Sequence, residues 1–493
     1  MGMEGPLAAL EMLFEPISLM LLCGGTAFGI ILGALPGLSA TMGLALAMPF
    51  AYYLSVEKAM PLLLGVYLGA VIGASIPAIL IGIPGNPNAI ATVYDGFAMA
   101  KKGLAGKALG GATVASFLGG MISLAFLVLL SPQVARFALF FGPPEYFALA
   151  VFGLTIIAAV SGKELLKGIA MAVLGFALSL VGLDSMTGVP RFTFGSIYLM
   201  DGISLVPALI GLYAFAQVFS DVESLDVFKQ IHLLGLKGIK FREILLSPRE
   251  IASNLRTVLE SALIGTGIGA FPGTGASIAV FLAYFRAKRK RPDLGSGALT
   301  GVMAPESANN AVTGGALIPT LALGIPGDSS TAVILSALIV MGVQPGPLLF
   351  RDHIEVVHMI FISLLLANIA MVIFQLIGIR FFVKALAIPP QLLMPLVVVF
   401  STLGCFALQE RISDVLIALA FGLGGYVMEK GGFPKAPLLL GLILGPIAEP
   451  QFRRSMVLFQ GDWTQFFSRP ISLALFTLTA AALLSPALRR KGR

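Results

Sequence analysis

The dipeptide Pro36-Gly37 lies inside an apolar stretch and returns 236 positions later as Pro272-Gly273, while Pro84-Gly85 returns 242 positions later as Pro326-Gly327. The flanks return with them. Gly29, Gly33, Ala34 and Ala40 match Gly265, Gly269, Ala270 and Ala276; Gly73, Ile76, Pro77, Gly82 and Ile83 match Gly315, Ile318, Pro319, Gly324 and Ile325. Pro143-Pro144 finds its counterpart in Pro389-Pro390, and Pro207 with Gly211 in Pro437 with Gly441. The chain is therefore a duplicated unit whose best-matched positions break helices inside hydrophobic segments. In lipid, broken backbone is tolerated only where protein buries it or where it lines a wet cavity. Paired interruptions in two halves point to the substrate site of a secondary transporter.

The composition fits that setting. Of 493 residues, 57% are hydrophobic and 12% charged, against about 25% charged in soluble domains. The sequence thus reads as an all-α polytopic membrane protein. A net charge of +7 does not imply nucleic-acid binding, because the basic residues sit in short runs between apolar segments, as the positive-inside rule produces. Glu4, Glu11 and Glu15 precede the first basic residue, Lys58, so no basic n-region marks a cleaved signal peptide. Cys23 and Cys405 occupy non-equivalent apolar positions and read as small buried side chains. His232, His353 and His358 show no metal-ligand spacing.

Basic loops set the expected topology. Lys101, Lys102 and Lys107; Lys163 and Lys167; the stretch from Asp221 to Arg256; Arg286 to Arg291; Arg380 and Lys384; Lys430 and Lys435; and the terminal Arg489 to Arg493 are all assigned to the cytoplasm. The run Arg286–Arg291 maps onto the uncharged Phe50–Ser55, and Lys101–Lys107 maps near the uncharged Val343–Phe350. Loops basic in one copy and neutral in the other are what an inverted repeat predicts. Arg453 and Arg454, which this scheme places outside, run against it. The expected organisation is a first repeat over 1–220, with a re-entrant helical hairpin around 17–52 and a broken helix around 59–100. A cytoplasmic linker over 221–256 follows, then a second, inverted repeat over 257–450. Residues 451–493 form a periplasmic segment and an extra C-terminal transmembrane helix with a cytoplasmic tail. The N-terminus is expected outside and the C-terminus inside. The linker around Phe228–Leu255 suits either an amphipathic surface helix or a solvated connector.

Glycines at every fourth position, Gly25, Gly29, Gly33 and Gly37, and again Gly65, Gly69 and Gly73, suit close helix packing better than direct substrate contact. The segment Gly265-Thr-Gly-Ile-Gly269 is no nucleotide fingerprint, because no strand precedes it.

The breaks carry the site expectation. Each Pro-Gly pair (Pro36, Gly37; Pro84, Gly85; Pro272, Gly273; Pro326, Gly327) removes helical hydrogen bonds, and polar residues gather just after it. These are Ser39 and Thr41; Asn86, Asn88 and Thr92; Thr274 and Ser277; and Asp328, Ser329, Ser330 and Thr331. Half-helix N-termini direct partial positive charge toward a break, so four of them suit an anion without many arginines. The most polar sequence inside an apolar region is Ala304-Pro305-Glu306-Ser307-Ala308-Asn309-Asn310, whose first-half counterpart contains Leu64, Gly65, Tyr67 and Leu68. An acid within the membrane defaults to a functional role. Glu306 suits a coupling proton or Na⁺, or else a solvated helix start, since Arg291 lies close upstream. Asn309 and Asn310 suit coordination of a cation or hydrogen bonds to a carboxylate. Ion coupling is assigned to Glu306, Asn309, Asn310 and Asp328. Neither paired membrane aspartates, a zinc-binding His-Glu-x-x-His, nor a serine–histidine pair is present, which argues against an enzyme. A passive anion channel is the nearer rival.

These residues resemble the large membrane subunit of the tripartite tricarboxylate transporter family over nearly the whole chain. The resemblance is carried by Gly33-Ala-Leu-Pro-Gly37, Ile83-Pro-Gly-Asn-Pro87, Tyr94-Asp-Gly-Phe-Ala-Met-Ala-Lys-Lys-Gly103, Ala304-Pro-Glu-Ser-Ala-Asn-Asn310, Gly324-Ile-Pro-Gly-Asp328 and Gln344-Pro-Gly-Pro347. It implies a bacterial inner-membrane permease working with a small membrane subunit of about four transmembrane helices and a periplasmic solute-binding protein. It further implies uptake of carboxylates such as citrate, coupled to Na⁺ or H⁺ with no cofactor, and an ion-transporter-superfamily-like elevator; a homodimer is compatible with it. Asn86 stands where a small hydroxyl residue is expected, and Asp328 at a position that varies, so both bear on the substrate more than on the fold.

Overall fold

A computed structural model describes residues 10–160, 165–223, 241–272, 275–385 and 390–490. Gly273 and Thr274, and residues 224–240 of the expected linker, lie outside the described residues. The chain is a multi-pass helical protein, and seven of its described helices are long and apolar enough to cross a membrane. Among the described residues the only strands form a two-residue antiparallel ladder, β1 (Gly182–Leu183) with β2 (Pro190–Arg191).

The first half opens with α1 (Pro16–Ala34) and α2 (Ala40–Tyr52), separated by the turn that holds Pro36-Gly37. Next come α3 (Val56–Gly73) and α4 (Ser75–Leu80), broken from α5 (Ile90–Lys101) at Pro84-Gly85. Three further segments follow, α6 (Ala105–Ala138), α7 (Pro143–Val160) and α8 (Leu165–Ser179). The half ends in α9 (Leu205–Ile210), which runs through a π-helical turn at Gly211–Phe215 into α10 (Ala216–Glu223).

The second half repeats the order. A hairpin of α11 (Pro248–Gly269) and α12 (Gly275–Lys290) flanks Pro272-Gly273. Then α13 (Leu299–Leu323) breaks at Pro326-Gly327 before α14 (Ser329–Val340), and α15 (Ile354–Ala385), α16 (Pro390–Gln409), α17 (Ile412–Lys430) and α18 (Lys435–Leu458) follow. The last helix, α19 (Pro470–Arg490), has no counterpart among the described residues of the first half. Residues 248–255, expected within the linker, are instead the first two turns of α11. That helix is started by a capping box in which the Ser247 side chain accepts from the Glu250 amide while Glu250 accepts from the Ser247 amide.

The glycine stripes act in packing. A Cβ at Gly29 would stand 2.3 Å from Val66 O, and one at Gly69 would stand 2.2 Å from Thr26 O. Helices α1 and α3 thus touch backbone to backbone. In the second half, α11 and α13 do the same, since a Cβ at Gly265 would meet Ala308 O at 2.3 Å and one at Gly315 would meet Thr266 O at 2.4 Å. Such contact gains dispersion and brings the broken ends of neighbouring helices close together. It is this packing that positions the site.

Candidate functional site

The first, second and fourth breaks each end one helix and start another with a polar cap. Gly37 takes φ +89° at the exposed tip of the first turn, a left-handed conformation that favours glycine. After it, Ser39 Oγ accepts from the Met42 amide at the start of α2. Asn86 Oδ1 accepts from the Asn88 amide after the second break. Asp328 Oδ1 accepts from the Thr331 amide at 2.7 Å and from Thr331 Oγ1 at 3.0 Å after the fourth. All three are N-cap arrangements, which satisfy amides that have no helical partner.

Within each half the two breaks touch. Gly37 donates its amide to Gly85 O at 3.0 Å. A Cβ at Gly85 would lie 2.2 Å from Gly33 O and 2.7 Å from Ala74 Cα; one at Gly327 would lie 2.7 Å from Gly269 O and 2.6 Å from Ala316 Cα. Gly33, Ala74 and Gly85 are the sequence counterparts of Gly269, Ala316 and Gly327, so the same contact is built twice.

Across the halves the contacts are exchanged. Thr41 Oγ1 and Ser330 Oγ hydrogen bond at 3.0 Å, joining the first break to the fourth. Ser277 Oγ donates to Asn88 Oδ1 at 2.7 Å, joining the third break to the second. Thr41 corresponds to Ser277 under the offset of 236, and Asn88 to Ser330 under the offset of 242. The four breaks therefore close into a ring: first to second, second to third, third to fourth, fourth to first.

Acidic and amide side chains lie against this ring. Tyr67 Oη donates to Asp328 Oδ2 at 3.2 Å. Glu306 is buried in α13 at 1% exposure, which excludes a solvated helix start. Its Oε1 accepts from Thr92 Oγ1 at 2.5 Å, and its Oε2 lies 3.4 Å from Ser116 Oγ. Asn310 turns toward α6 and α15, donating to Ser116 O at 2.7 Å and to Asn368 Oδ1 at 3.1 Å. Asn309 is equally buried, and neither atom of its amide has a partner.

The structure thus brings Gly37, Thr41, Gly85, Asn88, Ser277, Gly327 and Ser330 into contact across the breaks. Pro36, Pro84, Pro272 and Pro326 flank them, with Pro272 and Pro326 buried. Ser329 opens α14, half-buried.

The sequence expectation did not include Ser116 or Asn368, scattered polar residues in long apolar helices, nor Asp95. Asp95 is fully buried and accepts from the amides of Gly295, Gly297 and Ala298 and from Tyr284 Oη, all at 2.8–2.9 Å. It clasps α5 to the turn before α13. Cys23 and Cys405 are free thiols, half-buried and buried.

The model of the tripartite tricarboxylate transporter TctA family matches residues 19–440. The chain belongs to this family. A protein of Agrobacterium vitis described as an uncharacterized 52.8 kDa protein in the TAR-I ttuC' 3' region is 35% identical over 487 residues, covering 98% of this chain and 96% of that protein. A second Agrobacterium vitis protein, described as an uncharacterized protein in the TAR-II ttuC' 3' region, is 38% identical over 233 residues, covering 46% of this chain and 96% of its own length. No solved structure matches.

Proposed function

We propose that this chain is the large permease subunit of a binding-protein-dependent tripartite system that takes up a carboxylate, such as a tricarboxylate, across the bacterial inner membrane by ion-coupled secondary transport. The observation that carries the reading is the ring of four breaks contributed by both halves, with a buried acid, Glu306, set against it. Helix starts around a break offer amides and hydroxyls to a carboxylate at little reorganisation cost. A buried acid with hydroxyl partners suits an exchangeable proton or a held Na⁺.

The exchanged pairs Thr41–Ser330 and Ser277–Asn88 support a two-fold relation between the repeats. The unequal charge of matching loops supports an axis in the membrane plane, hence inversion, a periplasmic N-terminus and a cytoplasmic C-terminus. On this reading the two hairpins and two broken helices move together as an elevator against the remaining helices. A small four-helix subunit adds to the scaffold, and a periplasmic binding protein delivers the solute. No catalytic constellation competes with this reading, and a purely passive channel would have no use for a buried acid beside its paired breaks.

The test is uptake of labelled citrate, malate and succinate by cells expressing the chain with the two partner subunits, under imposed H⁺ or Na⁺ gradients. Accumulation above equilibrium driven by one gradient is the expected result. Equilibration alone would establish a channel, and no movement of any of the three would refute carboxylate transport.

A further inference from the structure

The ring contains two sequence-equivalent junctions, and their chemistry has diverged. One lies between the first and fourth breaks, the other between the second and third. At the first-fourth junction, Asp328 is fully engaged: it accepts from the Thr331 amide, Thr331 Oγ1 and Tyr67 Oη. At the second-third junction, Asp328 is replaced by its counterpart Asn86, and Tyr67 by its counterpart Asn309. A carboxylate has become a neutral amide, and a phenol has shrunk to a side chain a fraction of its size. The buried tier behind each junction has changed in the opposite sense. Leu64 and Ile334 on the first-fourth side correspond to Glu306 and Thr92 on the second-third side.

The equivalence also fixes where Asn309 points. Tyr67 reaches the cap at position 328, so Asn309, in the same place on the matching helix, faces the cap at position 86. Asn310 has its partners on α6 and α15, and adjacent helical residues diverge by roughly 100°, which agrees. Asn309 is 1% exposed and both its amide atoms lack partners. A buried amide left unpaired is destabilising, and a ligand at the site would remove that cost. At the first junction the Asp328 oxygens already take up the nearby donors, the Thr331 amide, Thr331 Oγ1 and Tyr67 Oη, and offer none to an anion, whereas the second presents Asn86, Asn88, Ser277 and Asn309 beside the 16-residue helix α12.

We infer that the carboxylate group of the solute is held at the second-third junction, between Asn86, Asn88, Ser277 and Asn309, and that the first-fourth junction is a sealed copy that binds no solute. This rests on the transport reading and narrows it to one of two equivalent places.

The test uses the purified full chain in detergent with Cys23 and Cys405 replaced by alanine. Single cysteines are placed at the second-third junction (Ser277→Cys, Asn309→Cys) and at the first-fourth junction (Thr41→Cys, Ser330→Cys). Asn88→Cys and Ser39→Cys serve as substitutes for any variant that is not monodisperse. An anionic thiosulfonate reagent should modify the second-third pair several-fold faster, and citrate, malate or succinate should slow that labelling alone. Equal labelling at both junctions, faster labelling at the first-fourth junction, or labelling that none of the three slows would overturn the inference. The gradient-driven uptake of the unmodified protein is scored separately, so failure of this localisation is distinct from failure of the transport reading.

Discussion

Thr92 and Glu306 come from opposite halves of the chain, yet Thr92 Oγ1 lies 2.5 Å from Glu306 Oε1. Thr92 stands in the first turn of α5, just beyond the Asn86 cap, and Glu306 stands in the middle of α13. The bond therefore ties the second break to the only acid buried within α13. A change in the charge of Glu306 is felt directly at the start of α5.

Replacing Glu306 with Gln keeps the shape and the acceptor for Thr92 while removing the ionisable group. Thermal stability in detergent should change little. Gradient-driven accumulation should fall at least about tenfold, the equivalent of about 1.4 kcal/mol, while solute exchange persists. Thr92→Ala leaves Glu306 Oε1 without its short donor and should cost about 1–3 kcal/mol of stability. Unchanged accumulation in Glu306→Gln would remove the coupling role.

Asp95 offers a purely structural counterpart. Its carboxylate satisfies three backbone amides and one phenol in a buried setting. Asp95→Ala strands those donors and should lower stability by about 3 kcal/mol or more, read as a drop in melting temperature. Tyr284→Phe removes one of the four donors and should cost about 1 kcal/mol. Equal effects of the two changes would show that the amides are satisfied in another way.

The breaks were legible in the sequence because proline and glycine inside apolar runs have few other uses, and their duplication fixed which breaks correspond. The chain turns or interrupts its helices at Pro36, Pro84, Pro272 and Pro326, and the glycine seams join the helices beside them. The pairing across halves was not legible. Nothing in the local pattern of Thr41 names Ser330 as its partner, because that contact depends on how two distant helix starts meet. Asp95 escaped for a different reason: its partners are backbone amides around Gly295 and Gly297, which carry no side-chain signature. Arg453, which ran against the charge rule, is paired with Asp184 at 2.7 Å and with Glu449 at 3.3 Å. An arginine neutralised by two acids carries little weight as a topological signal.

Two glycines separate packing from flexibility. Gly69→Ala places a Cβ 2.2 Å from Thr26 O, so α1 and α3 must part, at about 1–3 kcal/mol. Gly267→Ala, on an exposed face of α11 with nothing within 4 Å of its Cβ, should stabilise by up to about 1 kcal/mol through helix propensity. Melting temperatures of the two variants should move in opposite directions. A shift of the same sign in both would contradict the backbone-to-backbone seam.

The loop carrying β1 and β2 is held to α18 by ion pairs whose pH response can be worked out. Asp184 is buried, accepts from the Met186 amide at 2.9 Å, and meets Arg453 at 2.7 Å. Arg191 joins the set through Glu449 at 2.7 Å. The Met186 amide and then the Arg453 guanidinium hold the Asp184 carboxyl well below the usual carboxylate range. A group depressed in the folded state stabilises fully above its unfolded value, about 4 for an aspartate, and loses that contribution as pH falls toward the folded value. Protease resistance of the loop over residues 182–202 should therefore be the same at about pH 5 and about pH 8, and weaken only in stronger acid. Asp184→Asn removes the charge that Arg453 faces, so nicking of the loop should rise at both pH values and lose its dependence on acid. Resistance that already declines between those two pH values in the unmodified protein would show that Asp184 is not the anchor.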